Sequence, residues 1–289
     1  MKPPPFNHRR CTSLEEAVTL LAEHGAEAKV LAGGQSLMPM LNFRLLRPSL
    51  LVDIGRIAGL EGIVEDAAGL TIGATTRHRR LETDPRIARH FPVLAHAMTH
   101  VAHLAIRNRG TIGGSLSHAD PAAELPMMAL LLEATLRLNR QDGEREIPAA
   151  DFFLGSLTTA LEPEEVLTAI RLPFLPSGAG WGFEETAPRA GDFATAAAAC
   201  VLTRRGAAVT MVRLALMGVH ETPLRVPAAE AVLLGQGPAA FAQAARIARD
   251  AVEPNSDLRA SAELRRHMVE VQVGRVLAAA WARATEDAA

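Results

Sequence analysis

Apolar residues at Ala17, Leu20 and Leu21 recur at helical spacing directly after Ser13-Leu14-Glu15-Glu16, a hydroxyl and carboxylate pattern that caps a helix start, and Gly25 ends the segment. A short apolar run at 29–32 predicts a strand that leads straight into Ala32-Gly33-Gly34-Gln35-Ser36-Leu37. A helical turn over 36–42 and a second strand over 50–54 complete a small α/β unit. Residues 70–73 read as a strand, and Thr75 or Thr76 as the cap of a short helix around Leu81. A helix over 92–105 runs into Arg107-Asn108-Arg109-Gly110 and a second glycine loop, Thr111-Ile112-Gly113-Gly114-Ser115-Leu116. Residues 121–132 are apolar at nearly every position, which predicts a deeply packed helix, and 135–139 and 166–172 predict strands.

Pro173, Pro176, Ser177, Gly178 and Gly180 form the clearest linker and divide the chain into domains 1–176 and 177–289. Beyond it, 193–203 and 209–219 predict two strands joined at Arg204-Arg205-Gly206, with a third around 181–185. Helices follow over 228–234, 238–252 and 261–283, with Pro238 suited to a first helical turn. The expected second domain is a three-stranded antiparallel sheet backed by about three helices.

Composition narrows the function classes. The chain has 289 residues, 48% hydrophobic and 21% charged, which is ordinary for a folded globular protein. A net charge of -2 supplies no basic field for nucleic acid, and lysine occurs only at Lys2 and Lys29. The start lacks the apolar stretch of a secretory signal, and the apolar run at 125–132 is too short to span a bilayer. Cys11 and Cys200, far apart, fit a reducing cytoplasm, with peripheral membrane association left open. Two cysteines also cannot carry an iron-sulfur cluster, which usually takes four.

The candidate chemistry lies in the two glycine loops, about eighty residues apart. Each joins two glycines to a small hydroxyl residue, so bare amides can approach a phosphate while the hydroxyl adds a hydrogen bond. Either loop alone is equally a plain turn, and Ser36 and Ser115 equally suit helix capping. Together they suggest a diphosphate gripped from two sides, as an extended dinucleotide such as FAD requires. His96, His100 and His103 stand at helical spacing on one face, a pattern that zinc can use. Helix-face histidines are commoner than metal sites and no cysteine or carboxylate stands close by in sequence, so no metal site is assigned. His118 fits either a flavin neighbour or a loop support; Arg107 and Arg109 fit either phosphate, a partner's carboxylates or solvent.

The run from Arg107 to Glu124, Arg-Asn-Arg-Gly-Thr-Ile-Gly-Gly-Ser-Leu-Ser-His-Ala-Asp-Pro-Ala-Ala-Glu, together with Leu31-Ala-Gly-Gly-Gln-Ser-Leu37, resembles the FAD-binding medium subunits of molybdenum hydroxylases, the carbon monoxide dehydrogenase and xanthine dehydrogenase group. The resemblance extends to Glu165-Val-Leu-Thr-Ala-Ile-Arg-Leu-Pro173, Gly191-Asp-Phe-Ala194 and Ser261-Ala-Glu-Leu-Arg-Arg-His267. It implies an α+β chain: a two-subdomain α/β FAD-binding domain of the PCMH type, then a domain of three strands and a helix bundle. By the same resemblance Lys29, Val30, Leu31, Ala32, Gly33, Gly34, Gln35 and Ser36, with Leu37 nearby, and Thr111, Ile112, Gly113, Gly114 and Ser115 wrap the diphosphate and ribityl region of FAD. Glu124 matches an acidic hydrogen-bonding position, Leu167 an apolar contact to the flavin end, and Asp120 a weaker candidate in the same loop. Phe193 stands where close relatives often carry Tyr, which keeps an aromatic stack and loses a phenolic hydrogen bond. Leu264 also stands at a frequent Tyr position, and an extra cluster-binding insertion of some relatives is absent.

A flavin accepts two electrons and releases them singly, which suits a relay. The resemblance therefore implies an electron-transfer subunit with no catalytic acid or base of its own. Its partners are an iron-sulfur small subunit and a molybdopterin-binding large subunit in a dimer of heterotrimers. Two alternatives stand beside it: a self-contained FAD-dependent oxidase or dehydrogenase, and a non-redox nucleotide-binding assembly protein. The first alternative needs an internal general base, for which the sequence offers only scattered histidines.

Overall fold

The computed structural model describes residues 2–285; Met1 and 286–289, which fall within the two expected domain spans, lie outside the described residues. The opening unit is a parallel sheet in the order Asn7–Arg10, Leu50–Asp53, Ala28–Leu31. Its central strand is buried throughout, and the helix Leu14–His24 lays Ala17, Val18 and Leu21 against it. That helix starts on a reciprocal cap: Ser13 Oγ accepts the Glu16 amide at 3.1 Å while the Glu16 carboxylate accepts the Thr12 amide at 3.0 Å. Gly25, at φ 51°, ends it.

The second unit is an antiparallel five-stranded sheet in the order Ile63–Asp66, Gly69–Gly73, Val166–Pro173, Thr135–Arg140, Gly143–Pro148. Helices from His78–Thr83 to Glu124–Leu131 cover it, and every residue of the last is buried. The third unit is a four-stranded antiparallel sheet, Gly180–Thr186, Ala196–Arg205, Ala208–Met217 and Leu224–Arg225, backed by Phe241–Asp250 and the long helix Ala262–Arg283. Ala197, Ala199 and Val201 join the core of the second unit, whereas Ala196, Ala198, Cys200 and Leu202 join a core with the C-terminal helices. The sheet is thus buried on both faces, which explains why that strand reads as an unbroken apolar run. Among the described residues no helix is long and apolar enough to cross a membrane.

Several sequence expectations are corrected. The third sheet has four strands rather than three; Leu224–Arg225, only two residues long, is too short to show alternation and is recruited by pairing with Ala215 and Leu216. The single helix expected over 92–105 stops after Pro92–Ala97, Ala102 takes φ 44°, and Leu104–Arg107 is a separate turn. Arg107 holds this break, donating from Nη1 to the carbonyls of Val101 and Ala102 at 2.8 Å each and from Nε to Glu82 at 2.9 Å. His100 and His103 therefore both lie outside the helix that carries His96. Neither Thr75 nor Thr76 caps the short helix, which begins after Arg77; Thr76 instead exchanges hydrogen bonds with the Gly62 backbone at 2.9 and 3.0 Å. The helix expected from residue 121 begins at Glu124, because Asp120 accepts the Ala122 amide at 2.9 Å and turns the chain first. Strands Asn7–Arg10, Ile63–Asp66 and Gly143–Pro148 escaped notice because they are polar edge strands.

Gly180 and Gly182 let the first strand of the third sheet touch the backbone of helix Ala262–Arg283, where a β-carbon on Gly182 would stand 2.7 Å from Val276 Cα. Gly182→Ala is expected to lower stability by about 2 kcal/mol. A thermal unfolding midpoint several degrees below wild type would show it, and an unchanged midpoint would refute the close packing.

Candidate functional site

The strand Ala28–Leu31 delivers the chain into the first glycine loop, where Gly34 takes φ 72° and the Gln35 side chain donates to the Gly33 carbonyl at 3.0 Å. Helix Leu37–Asn42 follows, and its Ser36 makes no capping bond. Among the described residues the amides of Gly33, Gly34, Gln35 and Ser36 donate to no other group. Four consecutive free donors form a ready anion cradle. Lys29, exposed on the strand just before them, supplies a cation.

The second loop is built differently. Ile112, Gly113, Gly114 and Ser115 donate their amides to Thr76 O, Ala74 O, Thr111 Oγ1 and Thr111 O at 3.1, 2.8, 3.1 and 3.0 Å. The expectation that both loops present bare amides therefore holds for the first only. Thr111, not Ser115, caps the helix Ile112–His118, so the Ser36 and Ser115 hydroxyls are both left without a partner among the described residues. Gly113 serves contact rather than donation: a β-carbon there would stand 2.6 Å from the Ala74 β-carbon.

The loops meet through backbone. A β-carbon on Gly33 would run into the Arg109 carbonyl and stand 2.9 Å from Gly110 Cα. His78, which the sequence reading did not single out, locks the far side by pairing Nε2 with the Thr111 carbonyl at 2.9 Å. That bond makes Nε2 the protonated nitrogen, and Nδ1 lies buried without a partner against Gly110. Burial pushes this imidazole down to about 4, helped by Arg107 and Arg77. Arg107 is occupied by Glu82 and backbone carbonyls, so it braces the loop rather than reaching for phosphate; Arg109 is exposed.

Glu124 opens its helix almost fully buried, and burial first, then the charges of Glu185 and Asp120, push its carboxyl up to about 8. Asp120 is a turn residue at the loop's end, and half-buried His118 is pushed down by burial. Leu167 sits inside the core on the strand Val166–Pro173, against which helix Ile112–His118 packs. Phe193, half exposed, comes from the C-terminal domain. Its loop reaches the second glycine loop's approach through Gly191, whose β-carbon would stand 2.9 Å from the Ala102 carbonyl, while the Gly218 amide donates to Pro121 O at 2.9 Å. His96 and His100 face each other with ring centroids 5.3 Å apart, beside Phe183. Glu185, also missed from sequence, shares the inward face of its strand with Phe183, and that parity is the signal that reveals it.

The residues present fit a dinucleotide diphosphate: free amides and a lysine on one side, two free hydroxyls, and a second loop held rigid behind them.

Comparison with known proteins gives the same outline. Residues 4–175 match the family described as FAD binding domain in molybdopterin dehydrogenase, and 181–280 match the CO dehydrogenase flavoprotein C-terminal domain. The chain is 40% identical over 287 residues to the 6-hydroxypseudooxynicotine dehydrogenase complex subunit alpha of Paenarthrobacter nicotinovorans, covering 98% of this chain and 97% of the relative. It is likewise 40% identical to the carbon monoxide dehydrogenase medium chain of Hydrogenophaga pseudoflava, covering 98% and 99%. A solved carbon monoxide dehydrogenase chain from the latter organism superposes with a TM-score of 0.96 at 42% identity, covering 99% of this chain and all of that one.

Two outcomes follow. Gly33→Ala should separate the loops and weaken FAD binding by about tenfold or more, about 1.4 kcal/mol, in a fluorescence titration of the FAD-free chain; unchanged affinity would remove the loop contact from the site. Because the His78 imidazole titrates lower in the folded chain than the ordinary 6.5, stability is full above pH 6.5 and falls as pH drops through about 4. The full difference is about 3 kcal/mol. His78→Gln should flatten this acid limb of the unfolding midpoint, and a parallel limb would refute it.

Proposed function

The chain belongs to the family of FAD-binding medium subunits of molybdenum hydroxylases, of the carbon monoxide dehydrogenase and xanthine dehydrogenase type, and on that premise we propose that it is the exit stage of an electron relay. Electrons reach it from iron-sulfur clusters on a partner subunit and leave to an external acceptor. FAD is the cofactor, and when bound it supplies the exchange between two-electron and one-electron steps. The observation that carries the reading is the cradle of four free amides braced by a second, internally bonded loop.

The residues we assign to the cofactor are those at 29–37 and 111–115, with Asp120, Glu124, Leu167 and Phe193. Lys29 and the first-loop amides would bind the diphosphate, Ser36 and Ser115 would donate hydroxyl hydrogen bonds, and Glu124, held neutral by burial, would donate from its carboxylic acid rather than repel an anion. Phe193 would cover the ring as an aromatic without a phenol. We place the domain boundary between 176 and 177, where the last strand of the second sheet has ended and the first strand of the third has not begun.

Homologous chains are subunits of multi-subunit complexes. The partners proposed for this chain are an iron-sulfur small subunit and a molybdopterin-binding large subunit, assembled as a dimer of heterotrimers. Two buried free cysteines support a cytoplasmic site. Purification of the complex from its native cell is expected to yield FAD with molybdenum and iron in three chains, and the isolated chain is expected to bind one FAD that substrate reduces only after the partners are restored. Direct reduction by substrate in the isolated flavoprotein would overturn the relay in favour of a self-contained oxidase or dehydrogenase.

A further inference from the structure

Phe193 is half exposed, and its ring pairs with no other aromatic among the described residues. The backbone on either side of it is fixed. Two residues earlier, Gly191 lies so close to the first domain that a β-carbon would stand 2.9 Å from the Ala102 carbonyl, which Arg107 holds in turn at 2.8 Å. Two residues later, the Thr195 amide donates to Thr186 O at 2.7 Å and closes the segment 187–194 at its base. That base is gripped from the helix Ala262–Arg283. Arg265 and Gln272, seven residues apart and therefore on one face of the helix, are both buried. Gln272 Nε2 donates to Thr186 Oγ1 and to the Ala196 carbonyl at 3.0 Å each. Arg265 donates from Nη1 to the carbonyls of Thr195 and Gly218, the latter at 2.8 Å, and from Nη2 to Asp257 Oδ2 at 2.7 Å.

We propose that Arg265 is a positioning residue for the flavin, its guanidinium setting where the Phe193 ring stands relative to the second glycine loop. The inference rests on the assignment of FAD and Phe193 made above and names what holds that ring. Gly218 is the bridge: its amide donates to Pro121 O at 2.9 Å, next to Asp120, while its carbonyl accepts from Arg265. One guanidinium thus joins the Phe193 segment to the tail of the second loop. Gly218 takes φ 76°, and a β-carbon there would stand 2.9 Å from Thr195 O, so glycine lets the two carbonyls converge on one nitrogen.

The chemistry of the clamp calls for arginine. A planar fork with fixed donor directions suits three acceptors drawn from three segments, whereas a lysine ammonium on a flexible stem leaves their angles open. Asp257 is itself prepared for this fork. Its Oδ1 accepts the Arg259 and Ala260 amides at 2.8 and 3.0 Å, which fixes the turn before the helix and presents Oδ2 to Arg265. A ring placed by bonds already made in the FAD-free chain needs no ordering when the cofactor arrives.

The test uses the full chain with Arg265→Lys and Phe193→Leu, alone and combined. Arg265→Lys is expected to raise the FAD dissociation constant about tenfold in a fluorescence titration, and by less than about twofold when Phe193→Leu is already present. The visible circular dichroism of bound FAD should change in the same pattern, a readout that lost stability alone does not move. Equal losses in both backgrounds overturn the proposal, because Arg265 then acts by a path that bypasses Phe193; unchanged affinity in Arg265→Lys overturns it too. Should Arg265→Lys not fold, Asp257→Asn takes its place: the Asn Oδ1 keeps the turn, its amino group removes the acceptor, and affinity should fall about threefold with the same dependence on Phe193. Hydrogen exchange of the FAD-free chain reads the clamp itself. The Asp192 and Thr195 amides should exchange about tenfold faster in Arg265→Lys while those in the middle of Ala196–Arg205 keep their rates, and unchanged exchange removes the clamp. Wild-type affinity in Phe193→Leu, or a chain that takes up no FAD, sinks the flavin assignment and the proposal with it, while the exchange still decides whether Arg265 holds the segment.

Discussion

The site depends on one backbone contact, Gly33 against the Arg109 carbonyl and Gly110. No side chain fits between the two loops, so their separation is set by main chain alone and cannot drift with rotamers. Everything behind the contact serves to hold it. Arg107 ties the approach to residues 101 and 102 and to Glu82, His78 holds the Thr111 carbonyl, and Gly113 rests on Ala74. The donors in the second loop are spent on this bracing, which leaves the first loop to supply the free amides. A cradle with donors on one wall and stiffness on the other avoids ordering both walls when a ligand arrives, and the entropy of binding is smaller for it.

A second constraint joins the domains. The strand Ala196–Arg205 presents alternate residues to two cores, one shared with the second unit and one with the C-terminal helices. Small side chains, four consecutive alanines among them, let helix and sheet approach from both sides. The same packing brings the loop that carries Phe193 against Ala102 and Gly218 against Pro121, so the C-terminal domain meets both flanks of the second glycine loop as well as covering the core. The four-stranded form of this sheet follows from the same economy: the short segment Leu224–Arg225 pairs with the last apolar residues of Ala208–Met217 and covers their open edge.

Much of this was legible in the sequence where one rule governed one segment. The Ser13 cap, the Gly25 stop, the strand at Ala28–Leu31 and the glycine turns each follow from local chemistry. What escaped was decided by partners distant in sequence. The break after Ala97 depends on Arg107 reaching back to carbonyls, and no periodicity announces it. Thr76 bonds Gly62 instead of capping a helix for the same reason. The glycine motifs were read as phosphate-approaching backbone, yet Gly33 and Gly113 are glycines because other backbone or a β-carbon already occupies the space. His78 and Glu185 carry no motif at all and become visible only through what surrounds them.

The electrostatics of the site resolve an apparent contradiction. In the proposed assignment a dinucleotide would bring negative charge toward Glu124, whose carboxyl already feels the charges of Glu185 and Asp120, and Lys29, exposed just before the first loop, would be a cation for it. Charged carboxylates there would oppose an anion in a medium less polar than water. Burial eases the difficulty by pushing the Glu124 carboxyl up to about 8 and that of Glu185 up to about 7, toward the neutral acid. The same desolvation that makes a charge expensive there converts an acceptor into a donor, so an acidic residue becomes compatible with an anionic cofactor. Acidity at position 124 is therefore consistent with binding an anion only because the helix Glu124–Leu131 is buried along its whole length, and the packing of that helix is what makes the chemistry permissible.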